Sequence, residues 1–114
     1  MKITGSNVTI MVKNIDRAIE FYENIGLTLL QRWDDNYAMM KGEGITIGIH
    51  PSEGMVLTSG SLSIGFMIDD IVGAKARLNK HNILFSEQND GKSGIYLNFK
   101  DHDGTHIYYV VPKW

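Results

Sequence analysis

Between Phe99 and Pro112 the chain reads FKDHDGTHIYYVVP, which sets Asp101, His102, Asp103 and His106 within six residues. Carboxylates and imidazoles are the side chains that hold divalent cations, so the stretch raises the possibility of a metal site. A tight turn is the competing reading. Aspartates bond backbone amides one or two residues further on, and Gly104 takes a positive φ at no steric cost. His102 then falls at the tip of the turn and His106 in the strand that follows, so the two imidazoles need not converge. The turn is favoured; a cation site would have to combine His106 with His50.

Other chemistry finds less support. No serine or cysteine is visibly paired with a base, and GEG and NDGKSG read as hairpin connections rather than phosphate loops. The acid pairs Asp34-Asp35 and Asp69-Asp70 fall at a turn and a helix start. Glu53 and Glu87 lie near strand ends and could rim a pocket. Trp33, at the end of a strand, is the aromatic best placed to stack on a ligand. Trp114 is assigned to packing or a dimer contact.

These side chains must be positioned by regular elements, and the chain holds two sets of them. Residues 7–12 alternate as a strand, Asn14 is a helix N-cap, Ile15, Ala18, Ile19, Tyr22 and Ile25 recur at helical spacing, and Gly26 stops the helix. A shift of 56 positions sets Ile64, Phe66 and Ile68 against Val8, Ile10 and Val12, and Asp70, Ala74 and Leu78 against Asn14, Ala18 and Tyr22. Strand-like runs follow each helix: Thr28–Trp33, Tyr37–Lys41 and Ile45–His50, then Leu84–Glu87, Ile95–Lys100 and His106–Val111. The sequence therefore predicts an α+β protein of one domain, residues 1–114. It has two βαβββ units, about 5–50 and 62–112, joined by the linker PSEGMVLTSGSL.

Alternation along the strands assigns two faces. The helix side takes Val8, Ile10, Val12, Ala38, Met40, Ile45, Ile47 and Ile49, then Ile64, Phe66, Ile68, Ile95, Leu97, Phe99, Ile107, Tyr109 and Val111. The other face takes Asn7, Thr9, Met11, Tyr37, Met39, Gly48 and His50, then Ser63, Gly65, Met67, Tyr96, Asn98, His106 and Tyr108. It is too polar for a second core and too rich in Met, Tyr and His for an ordinary wet surface. A curved mixed sheet with such a concave face suits a small-molecule site; a polar outer face or a dimer contact is the alternative.

Composition removes several classes of function. The formal net charge is −2 with mixed signs, so no basic nucleic-acid face is expected. No apolar run reaches the roughly 18 residues that a bilayer requires, so no membrane role is expected. There are no cysteines, which excludes disulfides and thiolate ligands and fits a cytoplasmic protein, and no secretory leader is indicated.

The run Val12-Lys13-Asn14-Ile15-Asp16-Arg17-Ala18-Ile19-Glu20-Phe21-Tyr22, with Ile25-Gly26-Leu27 after it and Phe99-Lys100-Asp101-His102-Asp103-Gly104-Thr105-His106-Ile107 at the end, resembles the vicinal oxygen chelate superfamily. That group includes glyoxalase I, extradiol dioxygenases, fosfomycin-resistance enzymes and bleomycin-resistance proteins. The resemblance covers nearly the whole chain and implies the paired βαβββ fold. It also implies a divalent metal in the enzymes, held by His, Gln or Glu on the first and last strands of each unit.

Carried over by position, those slots hold Asn7, Ser63, His50 (or Gly48) and Tyr108. An amide, a hydroxyl and a phenol supply little charge to offset stripping water from a cation, so neither metal nor cofactor is expected. The bleomycin-resistance branch of the resemblance thus implies a metal-free binder, not an enzyme, for a small aromatic or heterocyclic ligand, working as a homodimer whose second subunit completes the cup. Its ligand-binding residues would be Asn7, Met11, Trp33, Tyr37, Met39, His50, Ser63, Met67, Tyr96, Asn98, His106 and Tyr108. Few carboxylates lie on this face, so a cationic drug is not specified. Two alternatives are a divalent-metal-dependent lyase, isomerase or dioxygenase using His50 and His106, and an interaction module whose site a partner chain fills.

Overall fold

The computed structural model describes residues 1–2, 4, 8–52 and 62–113. The chain divides between residues 57 and 58 into two compact units. The first contains β1 (Val8–Val12), α1 (Ile15–Asn24), β2 (Thr28–Trp33), β3 (Tyr37–Gly42) and β4 (Ile45–Pro51). The second contains β5 (Ser63–Met67), α2 (Ile71–Lys80), β6 (Ser86–Asp90), β7 (Gly94–Lys100) and β8 (His106–Pro112).

Each unit builds one four-stranded sheet of the same plan. The strand order is β1-β4-β3-β2 in the first and β5-β8-β7-β6 in the second. In both, the first and last strands pair in parallel and the other pairs are antiparallel. The helix makes this possible, because parallel neighbours need a long crossover.

The internal repeat extends to individual hydrogen bonds. Asn14 Oδ1 accepts from the amide of Arg17 at 3.0 Å, and Asp70 Oδ1 accepts from that of Gly73 at 2.9 Å. At the far ends, the amides of Leu27 and Gly26 donate to Tyr22 O and Glu23 O, while those of Ile83 and Asn82 donate to Leu78 O and Asn79 O. This double closure needs a residue at positive φ. Gly26 supplies it with φ 117° and Asn82 with φ 57°. Asparagine tolerates that region better than other residues with a Cβ, which explains how the second helix stops without a glycine.

One side of each sheet is apolar and buried. In the first unit Val12, Tyr22, Ala38, Met40, Ile47 and Ile49 are fully shielded; in the second, Leu78, Leu97 and Ile107 are. Phe99 meets Tyr109 edge to face at 5.1 Å between ring centres. Three expectations change. Val8, assigned to the buried side, is 37% exposed at the start of an edge strand. The strand expected over Leu84–Glu87 forms instead at Ser86–Asp90, in register with Gly94–Asn98, which leaves Leu84 outside the sheet and exposed. Glu87 does not rim the other face: it stands opposite buried Leu97 and forms an ion pair with Lys75 of α2. Val110 is 2% exposed although alternation puts it on the face away from α2; Met67 and Tyr96 flank it in register.

Burial pushes the Tyr109 phenol up to about 12 from its ordinary 10.0. The folded state thus prefers the neutral ring, so its contribution is complete below pH 10 and disappears as pH rises toward 12. Urea titrations across that window should show stability falling more steeply in the native protein than in Tyr109→Phe. Parallel curves would contradict the assignment.

Candidate functional site

The stretch that raised the metal question folds as a turn. Asp101, 9% exposed, receives the amides of Asp103 and Thr105 on Oδ1 at 2.9 and 2.8 Å. The amide of Gly104 donates to Asp101 O, with Gly104 at φ 86°. One carboxylate oxygen therefore organises the β7–β8 connection, while His102 is exposed. Among the described residues no group of three or more His, Cys, Asp or Glu is placed to hold a metal ion.

On the first unit, the face opposite α1 presents Thr9, Met11, Met39, Gly48 and His50, with Thr9 and Met39 both in register with Gly48 and Met11 with His50. Tyr37 lies across Gly48: a Cβ there would come within 1.9 Å of the phenol oxygen. That oxygen is 3.2 Å from Thr9 Oγ1. The ring of Tyr37 neighbours Trp33 at 5.7 Å and His50 at 6.3 Å. Trp33 is 42% exposed, as a stacking platform requires. Its hairpin is fixed by Arg32, which pairs with Asp16 of α1 and Asp35 and donates from Nε to Asp34 O. The bonds to Asp16 above all raise the Arg32 pKa further, so this cation is permanent. It also accounts for the Asp34-Asp35 pair as a turn.

His50 Nδ1 lies 2.7 Å from Pro51 O. A carbonyl only accepts, so Nδ1 carries the proton in this contact.

On the second unit the corresponding face carries Ser63, Gly65, Met67, Tyr96, Asn98, His106 and Tyr108. Tyr108 lies over Gly65, where a Cβ would fall 2.1 Å from the ring carbon bearing the hydroxyl. Its ring neighbours Tyr96 at 5.8 Å and His106 at 5.7 Å, and Tyr96 donates its hydroxyl to Ser93 Oγ at 2.9 Å. Met67 is 71% exposed.

Three strands place Ser63, His106 and Asn98 in a line. Ser63 stands beside His106 in the β5–β8 register, and Asn98 is diagonal to it on β7. Ser63 Oγ is 2.7 Å from His106 Nδ1, and His106 Nε2 is 2.9 Å from Asn98 Oδ1. With the amide oxygen toward the ring, Nε2–H donates to Asn98 and Nδ1 accepts the hydroxyl proton of Ser63. The sequence reading found no serine paired with a base. The structure corrects it, because 43 positions separate partners that the parallel register brings together.

These residues fit a metal poorly in the second unit. Both His106 nitrogens are engaged, Ser63 is committed to His106, and Tyr108 offers a neutral phenol. Asn7, Glu53 and Trp114 lie outside the described residues, so the site expectations for them carry no geometry. His50 and His106 belong to different units, each with its own partners.

Filling Gly65 tests how firmly Tyr108 is seated. Gly65→Ala should displace the ring at a cost of about 1 kcal/mol, and Gly65→Ala with Tyr108→Ala should cost less than the sum of the two single changes. Additive unfolding energies would show that the ring does not rest on this backbone.

Among the described residues no helix is long and apolar enough to cross a membrane, which says nothing of a β-barrel. No curated protein sequence matches the chain. Solved structures do. A bleomycin resistance determinant encoded on the transposon Tn5 has a TM-score of 0.77 at 15% identity, over 98% of this chain and 100% of that one. A bleomycin-binding protein complexed with bleomycin has a TM-score of 0.74 at 14% identity, over 96% and 98%. The fosfomycin resistance protein FosX from Listeria monocytogenes has a TM-score of 0.84 at 18% identity, over 98% and 94%. At such identities the likeness is one of fold. The family itself follows from the sequence profile that matches residues 6–109: the chain belongs to the Glyoxalase/Bleomycin resistance protein/Dioxygenase superfamily.

Proposed function

We propose that this protein is a metal-free small-molecule binder of the sequestration or resistance type. The observation that carries the reading is the state of the second unit's face. Its polar groups, Ser63, His106 and Asn98, satisfy one another in a hydrogen-bonded chain. Tyr108 neighbours His106, Tyr96 neighbours Tyr108, and exposed Met67 lies further along β5, adding aromatic and soft apolar surface. Such a surface favours a planar, aromatic or heterocyclic guest over a hydrated ion. The Trp33–Tyr37–His50 array of the first unit offers the same chemistry. A structural neighbour that holds bleomycin supports small-molecule binding on this fold. The working form is taken to be a homodimer, as the resemblance implies, and the composition fits a cytoplasmic protein with no nucleic-acid or membrane partner.

A second reading, a divalent-metal-dependent lyase, isomerase or dioxygenase, has one observation in its favour. His50 Nδ1 is held by a backbone carbonyl, the usual orientation of an imidazole that ligates through its other nitrogen. A FosX structure complexed with Mn(II) and a dihydroxypropylphosphonic acid adopts the same fold, with a TM-score of 0.80 at 18% identity over 96% of this chain and 90% of that one.

Metal analysis separates the two. Protein purified without chelators should contain well under one equivalent of Mn, Fe, Co, Ni or Zn per chain. A planar aromatic guest retained by the second unit's face should be lost in Tyr108→Ala. A stoichiometric transition metal that disappears in His50→Ala or His106→Ala would overturn the proposal.

A further inference from the structure

The Ser63–His106–Asn98 chain has a chemistry that binding does not require. An imidazole nitrogen accepting a serine proton, with the other nitrogen held by an oxygen acceptor, is the arrangement that activates a hydroxyl as a nucleophile. We propose that Ser63 is an acyl-accepting nucleophile with His106 as its general base, and that the second unit transfers or hydrolyses the acyl groups of small esters.

Three features carry the proposal. The hydroxyl is 2.7 Å from Nδ1, within the range for proton transfer. Asn98 fixes the tautomer through Nε2 at 2.9 Å, and its carbonyl dipole faces the imidazolium that would form. Ser63 is exposed, so an ester reaches it from solvent.

The step balances within the site and water. Ser63 Oγ bonds to the acyl carbon as its proton passes to His106 Nδ1, and the carbonyl π pair moves to oxygen. Collapse of the adduct breaks the ester C–O bond, and the departing oxygen takes the proton from Nδ1. Water then repeats the sequence against the acyl-serine, giving a carboxylic acid and free Ser63. His106 and Ser63 are the catalytic residues, and Asn98 is a positioning residue.

The reaction goes beyond the binding reading and is tested separately from it. The native protein is mixed with p-nitrophenyl acetate, nitrophenolate release is followed, and the acid-quenched protein is mapped by peptide mass spectrometry. The expected result is a burst with one acetyl group on the peptide containing Ser63. Ser93, which is bonded to Tyr96 and Asp90 instead, stays unmodified. Ser63→Ala abolishes the burst, and His106→Gln slows it about a hundredfold. Asn98→Asp, which strengthens the base, changes the pH dependence of acylation, a readout that a purely structural role would leave alone. If His106→Gln does not fold, Ser63→Ala and Asn98→Asp carry the test. Acetylation confined to lysines, no adduct at all, or a burst that survives Ser63→Ala would each overturn the proposal.

Discussion

The account depends on one side chain held at both ends. His106 is engaged through Nδ1 by Ser63 and through Nε2 by Asn98. A ring held on both sides cannot rotate without breaking two hydrogen bonds, each worth about 1 kcal/mol net. It also cannot offer a lone pair to a cation while the Ser63 hydroxyl occupies Nδ1. The same pair of contacts thus disfavours ligation, leaves the face neutral and turns Ser63 into a potential nucleophile. His50 differs in that its Nδ1 donates to a backbone carbonyl.

The duplicated βαβββ plan is what makes the placement possible. Parallel pairing of first and last strands brings Ser63 next to His106 and Thr9 next to Gly48. On each face a glycine then lets a tyrosine lie against the backbone, Tyr37 over Gly48 and Tyr108 over Gly65. These rings set the aromatic lining. The helix on the other side does no chemistry; it covers the apolar layer and supplies the crossover.

Much of this was legible in the sequence. The repeat, both N-caps and the alternation of Ile47, Ile49, Leu97 and Ile107 follow from local patterns that tertiary context rarely overrides. The turn at Asp101 and Gly104 was readable for the same reason. What the sequence hid was of three kinds. Pairing across register is non-local, so Ser63 and His106 gave no sign of being partners. Strand β6 is polar and exposed, with no alternation to mark it, and apolar Leu84 and Phe85 drew the expected boundary two residues too early. Glu87 looked like a rim residue until its register with Leu97 turned it toward Lys75.

The most direct measurement is the protonation pattern of one ring, read by nitrogen-15 NMR of the His106 imidazole in the intact protein near neutral pH. Nitrogen shifts of a single neutral form, with the proton on Nε2 and a bare Nδ1 coupled to the Ser63 hydroxyl, are the predicted result. A proton resident on Nδ1, or shifts averaged over both forms by a freely turning ring, would contradict the account of this face.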